Sequence, residues 1–203
     1  MSAAVICLSS WAWAEGGHQN HFASILLDGN KIGNVHYSVK HDERGEVEEL
    51  RTKASLSMLG IKLYDFTQHL HERWSGGVLQ SVRGNTNDDG KINQFTLKRT
   101  PKRYEATLNN KPVILPHDAF PISLWHYAVT QQSLLFDLAN LRLLKVKVSR
   151  HEDTVVLGGK TTQALRFDFT GDWQGSVWFD HNKQFVKAEY LSDKRLITVV
   201  MDP

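Results

Sequence analysis

The sequence has one cysteine, no marked excess of either charge and no long apolar run. Cys7 is the only cysteine of 203 residues, so disulfides within the chain and zinc or iron–sulfur sites built from several cysteines are excluded. The 24 Lys and Arg residues are balanced by 22 Asp and Glu residues, unlike the strongly basic composition of nucleic-acid-binding proteins. After residue 14 no apolar run approaches the roughly 20 residues of a transmembrane helix. We therefore expect no nucleic-acid partner, no cofactor and no transmembrane segment beyond that point.

Residues 1–14 are uncharged and mostly apolar, and they end in Ala12-Trp13-Ala14. Small residues at both outer positions of such a triplet are what signal peptidase requires. The sequence predicts a signal peptide over residues 1–14, a single β domain over residues 15–203, and a periplasmic or secreted protein. No Lys or Arg precedes Glu15, so an uncleaved interfacial anchor and a buried apolar start are the alternatives.

From Phe22 onward, apolar residues recur at every second position and Gly, Asn and Asp residues separate the runs. In one run Val35, Tyr37 and Val39 share a face, and polar side chains occupy the other. Such alternation is typical of half-buried strands. It predicts strands over residues 22–27, 33–39, 47–59, 61–74, 78–83, 92–99, 104–108, 144–150, 153–157, 161–169, 175–179, 185–191 and 196–201.

The middle of the chain lacks this alternation. Pro112, Pro116 and Pro121 lie close together, and proline is favoured in the first turn of a helix. We expect a helix from Pro121 to about Val129, followed by a second short helix or a packed loop over residues 134–144. The fold prediction is therefore a mainly β protein with a short helical segment near residues 121–144.

Many consecutive strands joined by short turns predict an antiparallel meander. A sheet this wide must curl, split or close, since exposed edges promote aggregation. We expect a half-barrel or barrel-like sheet, with the segment over residues 112–144 against its concave side or mouth. A flat sandwich is the alternative.

Several motifs in the second half occur in a recognisable order. They are Ser-Leu-Trp (123–125), Leu-Leu-Phe-Asp (134–137), Gly-Gly-Lys (158–160), Leu-Arg-Phe (165–167), Trp-Phe-Asp (178–180) and Phe-Val-Lys-Ala (185–188). Over residues 120–201 the chain resembles a family of secreted bacterial β proteins of about this length, known as a domain of unknown function. At the level of fold it is also similar to curved-sheet periplasmic proteins of the lipoprotein-carrier type. That similarity implies a concave side that holds acyl chains under a lid, but it transfers no catalytic residue.

The aromatic residues are the best candidates for a binding site. Large, stiff side chains on a curved sheet either fill the core or line an apolar cavity that holds a small ligand. For the second case we predict Tyr64, Phe66, Trp125 and Trp178 as lining residues beneath the segment over residues 112–144.

His69 and His71 share one face of a predicted strand, which is a spacing that can hold a metal ion. A third ligand would have to come from His36 or His41 on a neighbouring strand. The same face carries Arg73 and has the polar character of a solvated surface. No Gly-x-Ser-x-Gly motif is present. We assign no metal ligand and no catalytic residue.

The sequence thus favours a non-enzymatic periplasmic binding or carrier protein for a hydrophobic or amphipathic ligand. One alternative is an accessory module that binds a protein partner. The other is a metal-dependent enzyme that uses His69 and His71.

Overall fold

The structure, a computed structural model, describes residues 18–192 and 194–203. The predicted signal peptide over residues 1–14 lies outside these ranges. The strands are β1 (Gln19–Leu27), β2 (Asn30–Asp42), β3 (Gly45–Met58), β4 (Ile61–Ser75), β5 (Val78–Asp88), β6 (Lys91–Arg99), β7 (Arg103–Leu108), β8 (Lys111–Pro116), β9 (Phe120–Pro121), β10 (Leu134–Phe136), β11 (Leu143–Leu157), β12 (Lys160–Gly171), β13 (Gly175–Phe179), β14 (Phe185–Ser192) and β15 (Arg195–Met201).

All fifteen strands belong to one sheet, in the order β8-β7-β6-β5-β4-β3-β2-β1-β15-β14-β13-β12-β11-β10-β9. Every neighbouring pair is antiparallel except β9 and β10, which are parallel. The first and last strands pair in the middle of the sheet, with Ile25 opposite Val199. The two outermost strands, β8 and β9, do not pair with each other, so the sheet is curled but not closed. The predicted antiparallel meander with a barrel-like form is confirmed.

Tight two-residue turns join most of the strands in the first half. Asp28-Gly29 and Asp89-Gly90 have positive φ at both positions, as a type I′ turn requires. Aspartate followed by glycine is favoured there because both residues tolerate the left-handed conformation. These local preferences set the hairpin registers, and the registers place alternate side chains on the inner face of the sheet.

Residues 117–142, called here the connection, differ in detail from the prediction. The expected helix from Pro121 to Val129 is absent, because Phe120 and Pro121 form the short strand β9. The only helical turn in the connection is a 3-10 helix over Tyr127–Gln131. The expected helix or packed loop after residue 134 is strand β10 followed by a loop. Ile122 N–H donates to the Phe136 carbonyl at 2.9 Å. Backbone hydrogen bonds between β9 and β10 therefore take the place of the hydrogen bonds within a longer helix.

The hydrophobic core lies on the inner face of the sheet, where the connection fills the concave side. Val129, Leu135 and Phe136 of the connection have no solvent exposure. They pack against inner-face residues such as Val177 and Phe179 of β13, and Trp74 of β4. A smaller cluster lies apart and contains Val155, Ala164, Trp178 and Val186. The connection is therefore an integral part of the core.

Candidate functional site

A partly open cavity of about 320 Å³ lies between the sheet and the connection. Its sheet side follows β4 from Phe66 through Gln68 and Leu70 to Glu72, and its other side is formed by residues 122–125, 137–139 and 142. The remaining residues that line it are mostly apolar, namely Ile25, Val35, Leu50, Thr52, Leu144, Trp173, Phe185, Tyr190 and Val199. The cavity is thus a mainly apolar space with a few polar groups, which is the usual composition of a small-molecule site.

Two of the four predicted lining residues, Phe66 and Trp125, line this cavity. Trp125 is held in place by stacking on Tyr37, with ring centroids 4.6 Å apart, and by Phe185 at 4.9 Å. Because these rings restrict its rotation, Trp125 presents a fixed apolar wall. Its place in the connection ties the connection to both β2 and β14.

The other two predicted residues lie elsewhere. Tyr64 shares the face of β4 that carries Phe66, but it is not part of the lining, and its hydroxyl donates to Asp88 Oδ1 at 2.8 Å. Trp178 belongs to the separate cluster, because its neighbours Val177 and Phe179 take the inner positions of β13. Its indole Nε1–H donates to Asp153 Oδ2 at 2.8 Å. Strand alternation therefore directs Trp178 away from the cavity.

Two buried glutamates lie where β4 approaches Trp74, and one of them, Glu72, lines the cavity. Glu48 on β3 lies directly opposite Glu72 on β4, and their exposed fractions are 2% and 4%. Glu72 Oε2 accepts a hydrogen bond from Trp74 Nε1–H at 2.8 Å. Burial, together with the nearby charge of Glu48, raises the pKa of Glu72 to about 7. Glu72 therefore titrates near neutral pH.

His126, from the connection, covers this pair of glutamates. Its Nε2 lies 2.9 Å from Glu48 Oε2, and its ring stacks on Trp74 with centroids 3.9 Å apart. Burial lowers the pKa of His126, but the hydrogen bond to Glu48 and its negative charge outweigh that effect, so the pKa is raised overall. The imidazolium thereby compensates Glu48, whereas the one side chain that donates to Glu72 among the described residues is the neutral indole of Trp74.

The sequence prediction missed these three residues, although one signal was present. Glu72 lies between Leu70 and Trp74 in the alternation of β4, so a charged residue occupies a position on the apolar face. The contact with His126 spans 78 residues and depends on how the connection folds. No local pattern encodes that distance.

His69 and His71 lie on the exposed outer side of β4. His69 Nε2 is 2.6 Å from Glu49 Oε1, so it forms an ion pair when protonated. Within residues 18–192 and 194–203, no group of three or more His, Cys, Asp or Glu side chains is arranged to hold a metal ion. In the same ranges no helix is long and apolar enough to cross a bilayer.

A single curled, almost entirely antiparallel sheet with a mostly apolar cavity on its concave side defines a barrel-like β protein. The family model for a domain of unknown function, DUF6134, matches residues 24–202, so the chain belongs to that family. The predicted resemblance to a family of β proteins of unknown function is confirmed.

Among solved structures, the chain is similar to a beta-barrel-like protein of another domain of unknown function, DUF1849, from Brucella abortus. The two share 11% sequence identity with a TM-score of 0.60, over 91% of this chain and 95% of that one. At this identity the likeness shows the fold alone. No curated protein matches the sequence significantly.

Proposed function

We propose that this protein is an exported, non-enzymatic binding or carrier protein for a small hydrophobic or amphipathic ligand held in the cavity. The observation that carries the proposal is the cavity itself, with its apolar walls and few polar groups. A core without a binding role is normally filled, because empty apolar volume destabilises a fold.

The volume and shape of the cavity limit the ligand. A cavity of about 320 Å³ is near the lower end of the roughly 300–1,000 Å³ typical of small-molecule sites. It suits one aliphatic chain or one small ring system rather than a bulky lipid with two chains. Its walls follow β4 over seven residues, so an elongated molecule fits best.

Export is the second component of the proposal. It is supported by the apolar stretch over residues 1–14 with its Ala12-Trp13-Ala14 ending. A periplasmic or secreted binding protein would meet hydrophobic molecules outside the cytoplasm, where they require a carrier through water.

Native mass spectrometry of the protein purified gently from the periplasm tests the proposal. We expect an additional mass that is lost on denaturation and that extracts into organic solvent. Trp125 and Trp173 line the cavity, so rebinding should change tryptophan fluorescence. A bare polypeptide mass, together with no fluorescence response to aliphatic amphiphiles, would contradict the proposal.

A matched pair of variants links any binding to the cavity. Ala139 lines the cavity, whereas Ala128 is comparably half-buried and does not. We expect Ala139→Phe to obstruct the cavity and reduce ligand retention, and Ala128→Phe to retain the ligand. Equal retention by both variants would place the ligand elsewhere on the protein.

One observation favours a second function, as a module that binds a protein partner. Met58, Leu59, Ile61 and Leu63 are all exposed around the β3–β4 turn, and a contiguous apolar patch of this kind is typical of interaction sites. A photoreactive residue at position 61 should then form one discrete cross-linked adduct in the periplasm. Loss of that adduct in Leu59→Asn would support this alternative.

A further inference from the structure

The carboxylate of Glu72 has one oxygen without a side-chain hydrogen-bond donor among the described residues. Glu72 lines the cavity and is almost fully buried. The hydrogen bond from Trp74 occupies Oε2, and within the described ranges no side chain donates to Oε1. A buried carboxylate without a cationic partner is costly, so a ligand that supplies a positive donor would relieve that cost.

The groups around Glu72 are mainly acidic. Glu48 faces it from β3, and Glu46 lies two residues earlier in the same strand, opposite Trp74. From β2, Tyr37 contributes a hydroxyl whose pKa is raised by burial and by the charge of Glu48, so it stays neutral. His126 is the cation that faces this cluster from the connection, and its Nε2 is directed to Glu48.

The other polar residues that line the cavity are Thr52, Gln68, Ser123, Asp137, Arg142 and Tyr190, of which Asp137 and Arg142 carry charged groups. Arg142 is the positive group that could receive an anionic head group, but its side chain is exposed, and exposed ion pairs contribute little. The amide of Gln68 already donates to Thr86 and to the Leu138 carbonyl. Glu72 is therefore the buried acidic group that lines the cavity, and the positive charge of His126 offsets its charge only in part.

We infer that the ligand is an amphiphile with a protonated amine, bound with its ammonium group at Glu72 and its apolar chain along Leu70 and Phe66 towards Trp173. This inference rests on the proposed function and specifies the class of ligand. An ammonium group offers three N–H donors and a compact charge. A carboxylate head group would instead add a third negative charge beside Glu48 and Glu72.

Binding of such a cation is linked to release of a proton. Because the pKa of Glu72 in the free protein is about 7, the side chain is mostly protonated at pH 6 and mostly ionised at pH 8. The ammonium group binds the ionised form. We expect affinity to be about tenfold higher at pH 8 than at pH 6, which is the ratio of the ionised fractions.

The test uses decylammonium, decanol and decanoate below their micelle concentrations, with binding measured by tryptophan fluorescence and by calorimetry. The inference predicts that decylammonium binds most tightly, with the tenfold pH effect and with proton release visible as a heat that depends on the buffer. Glu72→Gln should remove both the preference for the amine and the pH effect while decanol binding persists. Glu49→Gln, on the outer face of the neighbouring strand, is the matched control and should retain both.

The outcomes separate the two proposals. Equal or tighter binding of decanol or decanoate would overturn the amine assignment and leave the proposed function standing. Failure of all three ligands to bind would count against the proposed function as well. If Glu72→Gln does not fold, calorimetry of the native protein still tests the inference. Binding of decylammonium without proton release would overturn it.

Discussion

Glu72 combines deep burial with a like-charged neighbour, and both conditions oppose its ionised form. Its cross-strand neighbour Glu48 lies 2.9 Å from His126 Nε2, so the local charge of the free protein depends on the protons held by Glu72 and His126. Groups with this kind of perturbed pKa inside a cavity are frequent at functional sites. Because Glu72 is buried, its ionisation also changes the free energy of unfolding, which can be measured.

We predict that Glu72→Gln stabilises the protein at pH 8 and has little effect at pH 5. The pKa of Glu72 is raised from 4.5 in the unfolded chain to about 7 in the fold. The native state therefore binds more protons between these values, and the free energy of unfolding decreases as pH rises through them, by on the order of 3 kcal/mol. Thermal and urea unfolding at both pH values measures this effect. Trp74 keeps an acceptor, because the glutamine side chain retains a carbonyl oxygen.

His126 adds to the pH dependence in the same direction. Its raised pKa stabilises the fold at low pH and is lost as pH rises through the folded value, so Glu72→Gln should retain part of the effect. Glu49→Gln is the control. Arg51 and His69 lower the pKa of Glu49, which stabilises the fold at high pH instead. Equal pH profiles for wild type and Glu72→Gln would contradict the burial of a titrating group at this position.

At the scale of elements, the β3–β4 hairpin has an unfavourable turn. Leu59 and Gly60 have φ values of 53° and 79°, which matches the geometry of the Asp28-Gly29 and Asp89-Gly90 turns. Leucine is a poor residue for positive φ, whereas asparagine is favoured. Leu59 is also 95% exposed, so its side chain gains nothing from burial.

We predict that Leu59→Asn raises the free energy of unfolding by about 0.5–1 kcal/mol, since it relieves an unfavourable backbone conformation. Chemical denaturation measures the change, and light scattering should show less self-association because one exposed apolar side chain is removed. Asp89→Leu introduces the reverse change in an equivalent turn and should be destabilising by a similar amount. A destabilised Leu59→Asn would mean that Leu59 makes a contact that outweighs the turn preference.

The strands could be predicted because each has one buried and one solvated face. This alternation holds for Val35, Tyr37 and Val39, which are buried as expected. It is ambiguous where apolar residues are consecutive, as in Val177-Trp178-Phe179, because the separate cluster beneath the β11–β12 hairpin also buries the outward residue. The placement of Trp178 therefore depended on tertiary packing that no local pattern shows.

The connection and the candidate site were less predictable for a related reason. Residues 117–142 have no alternation, and their conformation is determined by contacts with distant strands, such as His126 with Glu48 and Trp125 with Tyr37. Phe66 and Trp125 were predicted at the cavity because large aromatic side chains on a curved sheet fill its core or line a cavity, but the same argument also selected Tyr64 and Trp178, which lie elsewhere. The burial of Glu72 could not be predicted from its own strand, because it depends on how the connection packs against that face of β4.

At the scale of the whole molecule, the first and last strands pair in the middle of the sheet. β15 pairs with β1 on one side and with β14 on the other, so it joins the first eight strands to the remainder. Thr198 lies at the centre of this junction, opposite both Leu26 and Glu189, and it is buried. The edge strand β8 has a different status, because it pairs on one side only and contains Pro112 and Pro116.

We predict that Thr198→Pro costs about 3 kcal/mol or more and disrupts cooperative unfolding, because proline removes a hydrogen bond from a strand that is paired on both sides. The matched control is Ile114→Pro in β8. Proline at position 112 cannot donate to β7, and position 114 has the same orientation in the ladder, so its N–H points away from the sheet. Circular dichroism and urea unfolding should show a native-like Ile114→Pro and a largely unfolded Thr198→Pro. A cooperative Thr198→Pro with near-normal stability would mean that the two halves of the sheet hold together without the β1–β15 junction.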